Sequence, residues 1–353
     1  MKVMMFSDRK RIKYGLRSML DLLAAATGLL QWHERCMRQG LTILMYHRIL
    51  PAAQCRAYPL ASLVIPIDVF RQQLRWLAAR CRVVPVRDAL AEISAGGTRA
   101  KPLVAVTFDD GYNDNHSLAA PILEEYGLRG TFFVTSGFVA EGRPQWYDRA
   151  AVAWQHAGRQ QRRLLLQALP AMADGRLAEN VDGRGIQTWM EGLKRTAAAE
   201  RMKLVMKAET LAGKFLDLSG YQPMSPEQVK DLHGRGHEVA SHTVSHPILP
   251  QLSDTSLAAE LRDSAAQLNA WTGAAVSGFC YPNGDYDLRV EEAVLEAGYG
   301  YACTVEEGRN QHDVCPTRLA RLPMTMQRIM SGCSHDHLGF RAELCRVRAL
   351  WRR

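Results

Sequence analysis

Two adjacent carboxylates are the first residues of this sequence whose types and spacing point to chemistry. Asp109 and Asp110 follow an apolar run over Leu103–Phe108 and precede Gly111. Buried neighbouring carboxylates repel each other unless a cation lies beside them. On their own such residues more often form turns and helix caps, so a second group has to decide between a turn and a site.

The second group is a pair of histidines, His242 and His246, four residues apart. Two imidazoles at this spacing can bind one metal ion if the segment forms a helical turn. The metalloprotease pattern needs glutamate directly after the first histidine, and Thr243 stands there. A third ligand must come from elsewhere, and Asp109 or Asp110 can supply it. One carboxylate, two imidazoles and a water form an open catalytic zinc site, in which the other aspartate is free to act as a base.

A third segment, Phe279–Gly284, is a short apolar run that enters a turn. Backbone N–H groups exposed in such a turn could polarise an oxyanion. Without the other two segments, it indicates only a turn.

The elements around these segments alternate between strands and helices, which predicts a parallel sheet, either open or closed into a barrel. Reactive groups in such folds collect at the carboxyl ends of strands, and all three segments lie at the ends of predicted strands. Strands are predicted over 41–47, 103–108, 130–134, 237–242, 276–281 and 299–305, and helices over 67–81, 118–126, 225–234, 257–271 and 287–297. Residues 150–222 break the alternation and predict a helical insertion.

The three segments, in this order, resemble the motifs of the polysaccharide deacetylases, the NodB-homology proteins of carbohydrate esterase family 4. Thr107–Tyr112 matches the first motif, T-F-D-D-G, and Ser241–Pro247 matches the second, S-H-T-x-x-H-P. Phe279–Gly284 is similar to the third. The likeness covers about residues 41–325, and Leu44–Arg48 resembles the subgroup that acts in bacterial exopolysaccharide and surface-glycan synthesis.

The resemblance implies an α/β fold, a distorted (β/α)7-type barrel over 41–325 with the helical insertion at about 150–222. Residues 1–40 would form a basic amphipathic helical region before the barrel, and 326–353 a basic tail after it.

The resemblance also implies a set of site residues. Asp110, His242 and His246 would hold a divalent metal, and Asp109 would be the general base. Tyr281 would offer its backbone N–H to the oxyanion. Zn²⁺ is the expected ion, with Co²⁺, Ni²⁺ or Mn²⁺ as alternatives, since geometry and supply decide among them. Metal coordination lowers the pKa of water towards roughly 7, which amide hydrolysis at neutral pH needs.

Two departures from the family pattern concern the groups around the base. Many members have an arginine where Cys280 stands, so the base has to be held in another way here. The family's late Leu-x-His motif, the source of its general acid, has no match. His47 ends the first predicted strand and could protonate the leaving amine, or it could be a strand-end histidine with a structural role. The segment Trp146–Asp148 could form a sugar-stacking wall, or it could belong to the packing.

Together with these residues, the resemblance implies a metal-dependent deacetylase that removes N-acetyl from an aminosugar of a bacterial polysaccharide or a lipid-linked glycan precursor. An O-deacetylase and a peptidoglycan deacetylase are alternatives within enzymes. A glycan-binding pseudoenzyme in a synthesis complex is the alternative outside them.

The net charge of +8 lies mainly at the two ends. Residues 1–40 carry +5 and residues 326–353 carry +4, which leaves −1 for the rest. Nucleic-acid proteins usually carry basic charge on the folded core, so no nucleic-acid partner is expected. A helix predicted over Ile12–Leu30, with Leu16, Met19, Leu20, Leu23 and Leu30 partly on one face, would either contact a membrane surface or pack on the domain or a partner.

The cysteine pattern and the N-terminal segment bear on the compartment. The eight cysteines are scattered and form no C-x-x-C pair, which favours reduced thiols. No apolar run is long enough for a transmembrane helix, and no clear cleavage site follows the basic and apolar start. The cytoplasmic side, peripheral to the inner membrane, is therefore predicted.

Overall fold

The apolar runs of the sequence form strands that are buried on both faces. The computed structural model describes residues 8–97, 99–169, 185–213, 216–329 and 337–347. Its strands are β1 (Leu41–Tyr46), β2 (Arg48–Leu50), β3 (Val64–Pro66), β4 (Arg82–Val83), β5 (Leu103–Phe108), β6 (Thr131–Val134), β7 (Glu238–Ser241), β8 (Gly278–Cys280), β9 (Tyr301–Glu307) and β10 (Leu319–Pro323).

Seven parallel strands close into a barrel in the order β1, β10, β9, β8, β7, β6 and β5. β5 pairs with β1 from Leu103 opposite Leu41 to Phe108 opposite Tyr46, which completes the ring. The short β4 adds to the start of β5, and β2 pairs with β3 in a separate small sheet. The predicted seven-stranded barrel is therefore confirmed. One of its strands, β10, was not among the strands that the sequence pattern predicts.

Most of the helices connect successive strands and cover the outside of the barrel. The described helices are α1 (Asp8–Ala26), α2 (Leu29–Cys36), α3 (Ala52–Ala57), α4 (Ile67–Arg80), α5 (Val86–Ser94), α6 (Ala120–Glu125), α7 (Ser136–Glu141), α8 (Trp146–His156), α9 (Arg159–Gln167), α10 (Gly185–Lys194), α11 (Ala198–Ala212), α12 (Pro226–Gly234), α13 (Asp254–Thr272), α14 (Leu288–Glu296), α15 (Met326–Ile329) and α16 (Leu338–Leu344). None of these helices has the length and apolar character that crossing a membrane requires.

The single helix predicted over Ile12–Leu30 is two helices. Gly28 adopts a left-handed conformation, with φ of 77°, and separates α1 from α2. Glycine has no Cβ and adopts this conformation at little cost. Leu30 consequently lies in α2, where it is fully buried, and it does not share a face with Leu16.

Between β6 and β7 the described chain is helical, in α8 to α11. These helices bury their own apolar cluster, which includes Trp154, Leu165, Trp189 and Val205. Residues 170–184 and 214–215 of the predicted insertion lie outside the described residues. Because α8 and α10 follow the carboxyl end of β6, the insertion stands over the end of the barrel where the candidate site residues lie.

Side chains alternate along each strand between the barrel interior and the helices outside. Leu41, Ile43, Ala105 and Phe133 fill the interior, together with residues of α5. Following the same alternation, Thr107 also lies on the interior side, and Asp109, two residues further along, is directed to the interior at the carboxyl end of the barrel.

Candidate active site

A cavity of about 240 Å³ lies at the carboxyl ends of the strands. Its polar floor is formed by His47, Asp109, Asp110, His242 and His246. The structure thus brings together five residues that the sequence placed at the ends of three different strands, up to about 200 residues apart in the chain. Apolar and amphipathic side chains surround them, as in most small-molecule sites.

Asp109 is held by an arginine that the sequence analysis missed. Arg321 of β10 donates from Nη1 to Asp109 Oδ1 at 2.7 Å and from Nη2 to Oδ2 at 2.8 Å. Both side chains are buried. Burial alone would raise the pKa of Asp109, but the charge and hydrogen bonds of Arg321 lower it to about 2. Asp109 is therefore an oriented carboxylate.

Cys280 lies beside this pair, at the position where many family members carry their own arginine. Its Sγ is 3.0 Å from Nη2 of Arg321. Burial raises the pKa of the Cys280 thiol well above its usual range, so the thiol is neutral. The small side chain leaves room for the guanidinium, which arrives from β10 instead of β8. The signal in the sequence was an arginine inside the apolar segment Leu319–Pro323, where a buried charge needs a partner.

Asp110 faces both histidines. Its Oδ1 lies 3.7 Å from Nε2 of His242 and 3.6 Å from Nε2 of His246. Nδ1 of His242 donates to the carbonyl of Cys280 at 2.7 Å, which directs the Nε2 lone pair towards Asp110. Burial lowers the pKa of both imidazoles, so both are neutral, the form in which histidine binds metal.

The spacing of Asp110, His242 and His246 suits ligands of one divalent metal better than it suits direct hydrogen bonds among them. The separations are too long for hydrogen bonds, whereas tetrahedral ligands at about 2.1 Å from an ion lie about 3.4 Å apart. Burial and the neighbouring Asp109 raise the pKa of Asp110 well above its usual range, and a cation beside Oδ1 would offset both effects.

A second possible ligand group, Asp109, His242 and Cys280, is also close together. Both oxygens of Asp109 already accept hydrogen bonds from Arg321. The Nδ1 atom of His242 already donates to a carbonyl oxygen. The first group is therefore the better metal site.

The histidine segment is not the helical turn that the spacing suggested. Thr243 and His246 have φ of 68° and 53°. Glu260 of α13 holds the loop from outside, because the Oε2 atom of Glu260 accepts hydrogen bonds from the backbone N–H groups of Val244 and Ser245 at 2.8 and 2.9 Å. Asp110 also has a positive φ, of 80°. Strained backbone of this kind costs about 1–3 kcal/mol per residue and concentrates at functional sites.

The prediction for Tyr281 is wrong. Its backbone N–H donates to the carbonyl of Cys303 at 3.1 Å and continues the pairing of β8 with β9, so it is not available to an oxyanion. Asn283, two residues further, lines the cavity with a φ of 57°. Its backbone N–H has no partner among the described residues, and its buried Nδ2 has none either. Asn283 is thus the better candidate in this turn.

His47 lies at the edge of the floor. Its Nε2 is 3.9 Å from Oδ2 of Asp109. Burial lowers its pKa to about 4, although the charge of Asp109 opposes this effect. The backbone is fixed by Asn115, whose Nδ2 donates to the His47 carbonyl at 2.7 Å. The side chain is therefore neutral and directed into the cavity, as a proton-transfer group would be.

In the segment Trp146–Asp148, two residues line the cavity and could stack on a sugar, whereas the third belongs to the packing. Trp146 and Tyr147 line the cavity. Asp148 is fully buried away from it and accepts hydrogen bonds from the hydroxyls of Tyr58 and Tyr112, at 2.7 and 2.6 Å. Gln187, Met190, Glu191 and Lys194 of α10 complete the rim.

Comparison with protein-family models gives a match to the model described as polysaccharide deacetylase, over residues 96–163 and 188–302. The matched residues amount to just over half of the chain. Among curated proteins, YxkH of Bacillus subtilis (strain 168), which is named as a polysaccharide deacetylase, is 32% identical over 95 residues. The alignment covers 27% of this chain and 31% of that protein.

Two solved structures share the fold at low sequence identity. The deacetylase PplD of Streptococcus pyogenes, solved in complex with acetate, has a TM-score of 0.55 and 20% identity, over 81% of this chain and 92% of its own. IcaB of Ammonifex degensii has a TM-score of 0.55 and 20% identity, over 87% of this chain and 97% of its own. At these identities the likeness concerns the fold.

Proposed function

The chain belongs to the polysaccharide deacetylase family, and from this premise we propose that it hydrolyses the N-acetyl group of an aminosugar in a bacterial polysaccharide or lipid-linked glycan precursor. One observation carries the proposal. Asp110 faces the two Nε2 atoms of His242 and His246, while its neighbour Asp109 is held by Arg321. One carboxylate is thus free to bind a metal, and the other is kept for proton transfer.

In this proposal Asp110, His242 and His246 hold a divalent metal, with Zn²⁺ expected first and Co²⁺, Ni²⁺ or Mn²⁺ as alternatives. A metal there would acidify water and polarise the acetyl carbonyl. The protein's part is to present three buried ligands and to fix their orientation through the His242 contact with the Cys280 carbonyl.

Asp109 accepts the proton of the attacking water. Both its oxygens are fixed by Arg321, so the carboxylate cannot rotate towards the metal, and it needs no reorganisation during the reaction. Arg321 acts through Asp109 and is a positioning residue.

His47 delivers the proton to the leaving amine. Because the imidazole is neutral, it must receive a proton before it can donate one. Asp109, 3.9 Å away, becomes such a source once it has taken the proton of the water. The proton can then pass from Asp109 through His47 to the amine, while the carbonyl carbon gains the water oxygen and loses the nitrogen. The products are acetate and a free aminosugar.

We assign the backbone N–H of Asn283, a residue that lines the cavity, to the carbonyl oxygen as it gains charge. Pre-oriented backbone donors are the usual device for such an oxyanion. Trp146, Leu60 and Met190 give the cavity apolar walls, which suit the ring face of a sugar and the methyl of its acetyl group.

Acetate release tests the proposal. The metal-loaded protein is incubated with an N-acetylated chitooligosaccharide and, separately, with an O-acetylated oligosaccharide, and acetate is measured enzymatically. We expect release from the N-acetylated substrate and none from the Asp109→Asn variant.

Other outcomes select the alternatives. Release from the O-acetylated substrate alone would make the protein an O-deacetylase, and release from peptidoglycan alone would place it in cell-wall modification. Sugar binding without any release would identify a glycan-binding pseudoenzyme and would contradict the proposal.

We also propose the cytoplasmic side of the inner membrane as the place of action. The support is the cysteine pattern, since the seven described cysteines are free thiols, which is the usual state in a reducing compartment. Fractionation of cells that express the chain, with a thiol-alkylation assay, tests this location.

A further inference from the structure

The helix α1 exposes a row of large apolar side chains. Leu16, Met19, Leu22 and Leu23, here named the α1 stripe, are 54%, 52%, 52% and 52% exposed. Trp32 of α2 is 58% exposed. These five make up half of the ten large apolar residues that are exposed in the described part of the chain. Such a concentration marks a contact surface more often than scattered exposure does.

The opposite face of α1 attaches the helix to the protein. Ser18, Asp21 and Ala24 are buried, and Arg17 donates from Nη1 to the backbone carbonyl of Gln327 at 2.9 Å. Ser18, Asp21 and Ala24 recur at helical spacing and lie on the side away from the stripe. The stripe is therefore turned outwards by a helix that is fixed on its other side.

The net charge of α1 indicates which kind of surface the helix can contact. The helix carries five basic and two acidic residues in its sequence, and one of the acids, Asp21, is only 1% exposed. A second copy of α1 would bring equal positive charge against it, which disfavours self-association. An anionic lipid surface offers both apolar depth for the stripe and negative charge for the basic residues.

The position of α1 relates the stripe to the cavity. Gln327 lies in α15, four residues beyond the end of β10. The backbone N–H of Met324, just after β10, donates to the carbonyl of Met45 near the end of β1. Arg17 therefore meets the barrel at the carboxyl ends of its strands. From there the chain runs through α2 to Leu41, at the amino end of β1. The first half of α1 thus lies at the same end of the barrel as the cavity.

We propose that the α1 stripe docks on an anionic lipid bilayer, with α1 lying in the interface and Trp32 at the level of the headgroups. Docking would bring the cavity end of the barrel to the membrane. Given the proposed function, the aminosugar that the docked enzyme meets would be borne on a lipid.

Sedimentation with vesicles tests the docking without any use of the active site. The full chain is spun with vesicles of phosphatidylcholine alone and of equal parts phosphatidylcholine and phosphatidylglycerol. We expect binding to the anionic vesicles only, weakened by salt. The variant in which Leu16, Met19, Leu22 and Leu23 are all replaced by serine should lose at least about tenfold in affinity.

A matched control replaces four exposed apolar residues elsewhere, Leu164, Met206, Leu288 and Leu295, by serine. It should bind vesicles as the unchanged chain does, and both variants should keep their turnover of a soluble oligosaccharide. Vesicle binding that survives loss of the stripe, or no vesicle binding at all, would overturn the proposal. A dimer seen by light scattering that the stripe variant abolishes would also overturn it and would identify a subunit interface. If the unchanged chain binds vesicles but releases no acetate, that result would count only against the proposed function.

Discussion

The guanidinium of Arg321 and the carboxylate of Asp109 form a buried two-point ion pair, with both N–O distances under 3 Å, at 2.7 and 2.8 Å. Two parallel hydrogen bonds fix both the position and the plane of a carboxylate. The pair joins the end of β5 to β10, which neighbour each other only through β1. The orientation of Asp109 is therefore a property of the closed barrel.

Replacing Arg321 with methionine should lower kcat for N-acetyl hydrolysis by roughly 100-fold, because the carboxylate is then free to rotate. KM and metal content should change little, since Arg321 contacts neither the metal ligands nor the cavity. The kcat of Arg321→Lys should lie between those of the unchanged protein and Arg321→Met, because an ammonium keeps the charge but cannot make the two-point contact. Steady-state kinetics with metal analysis measure this, and a loss of metal that parallels the loss of kcat would refute it.

The double variant Cys280→Arg with Arg321→Met tests the same relationship from β8. Cys280 Sγ lies 3.0 Å from Arg321 Nη2, so a guanidinium from position 280 has access to the space that Arg321 leaves. Partial recovery of kcat over the single Arg321→Met variant is expected. Cys280→Ser alone serves as the control and should keep most of the activity. No recovery, in a variant that folds, would mean that the direction of approach matters.

The sequence pattern predicted a parallel sheet, open or closed, because its strands are short apolar runs that stand out against the helices. The family resemblance, and not the pattern, implied the closed barrel. The pattern located the candidate metal ligands because the two aspartates, His242 and His246 all come after such strands, and the family resemblance chose Asp110. Arg321 was missed because β10 contains a charged residue in its middle, which disguises an interior strand. Only the fold shows that the charge is paired with Asp109.

The error at Tyr281 has a related cause. The motif places a backbone donor in the turn after β8, but pattern alone cannot say which N–H is already engaged. The pairing of β8 with β9 extends one residue past Cys280 and consumes the N–H of Tyr281. Pro282 has no N–H, so the next backbone donor is that of Asn283, which has a positive φ and lines the cavity. Hydrogen-bond register of this kind depends on neighbouring strands, which local sequence does not specify.

Variants of the two adjacent aspartates should differ in their metal content. Asp110→Asn removes a ligand and should lower both metal content and activity, and excess metal should restore part of each. Asp109→Asn should keep its metal and lose roughly 100-fold or more in kcat, because it removes the base. Chelator treatment of the unchanged protein should abolish activity until metal is returned. Metal content by mass spectrometry and acetate release, on the same samples, measure these effects. If Asp109→Asn lost its metal as well, Asp109 would be a ligand.

Asp148 should give the protein a distinctive pH dependence of stability. Burial raises the pKa of this carboxyl to about 6, although hydrogen bonds from Tyr112 and Tyr58 oppose the rise. The unfolded chain, with a pKa of about 3.9, releases the proton first as pH rises. This group therefore destabilises the folded state progressively as pH rises from about 4 to about 6, by up to about 3 kcal/mol, and the loss persists at higher pH. Below pH 4 the group contributes nothing.

Asp148→Asn should remove this contribution. Relative to its own value at pH 4, the free energy of unfolding of the variant at pH 7 should exceed that of the unchanged protein. Urea unfolding at a series of pH values measures the difference, on chelator-treated protein so that metal release adds no pH dependence. Parallel curves for the two proteins would show that Asp148 is ionised throughout this range.

His47 offers the sharpest test of the proton path, because its contribution depends on the leaving group. An amine must be protonated as it departs, whereas a nitrophenolate leaves without a proton. His47→Gln should therefore lower kcat for N-acetyl hydrolysis by roughly 100-fold to 10,000-fold and barely change the hydrolysis of nitrophenyl acetate. Asp109→Asn is the control, since the base is needed for both substrates and both rates should fall. Equal losses on the two substrates in His47→Gln would show that His47 shapes the site and does not protonate the amine.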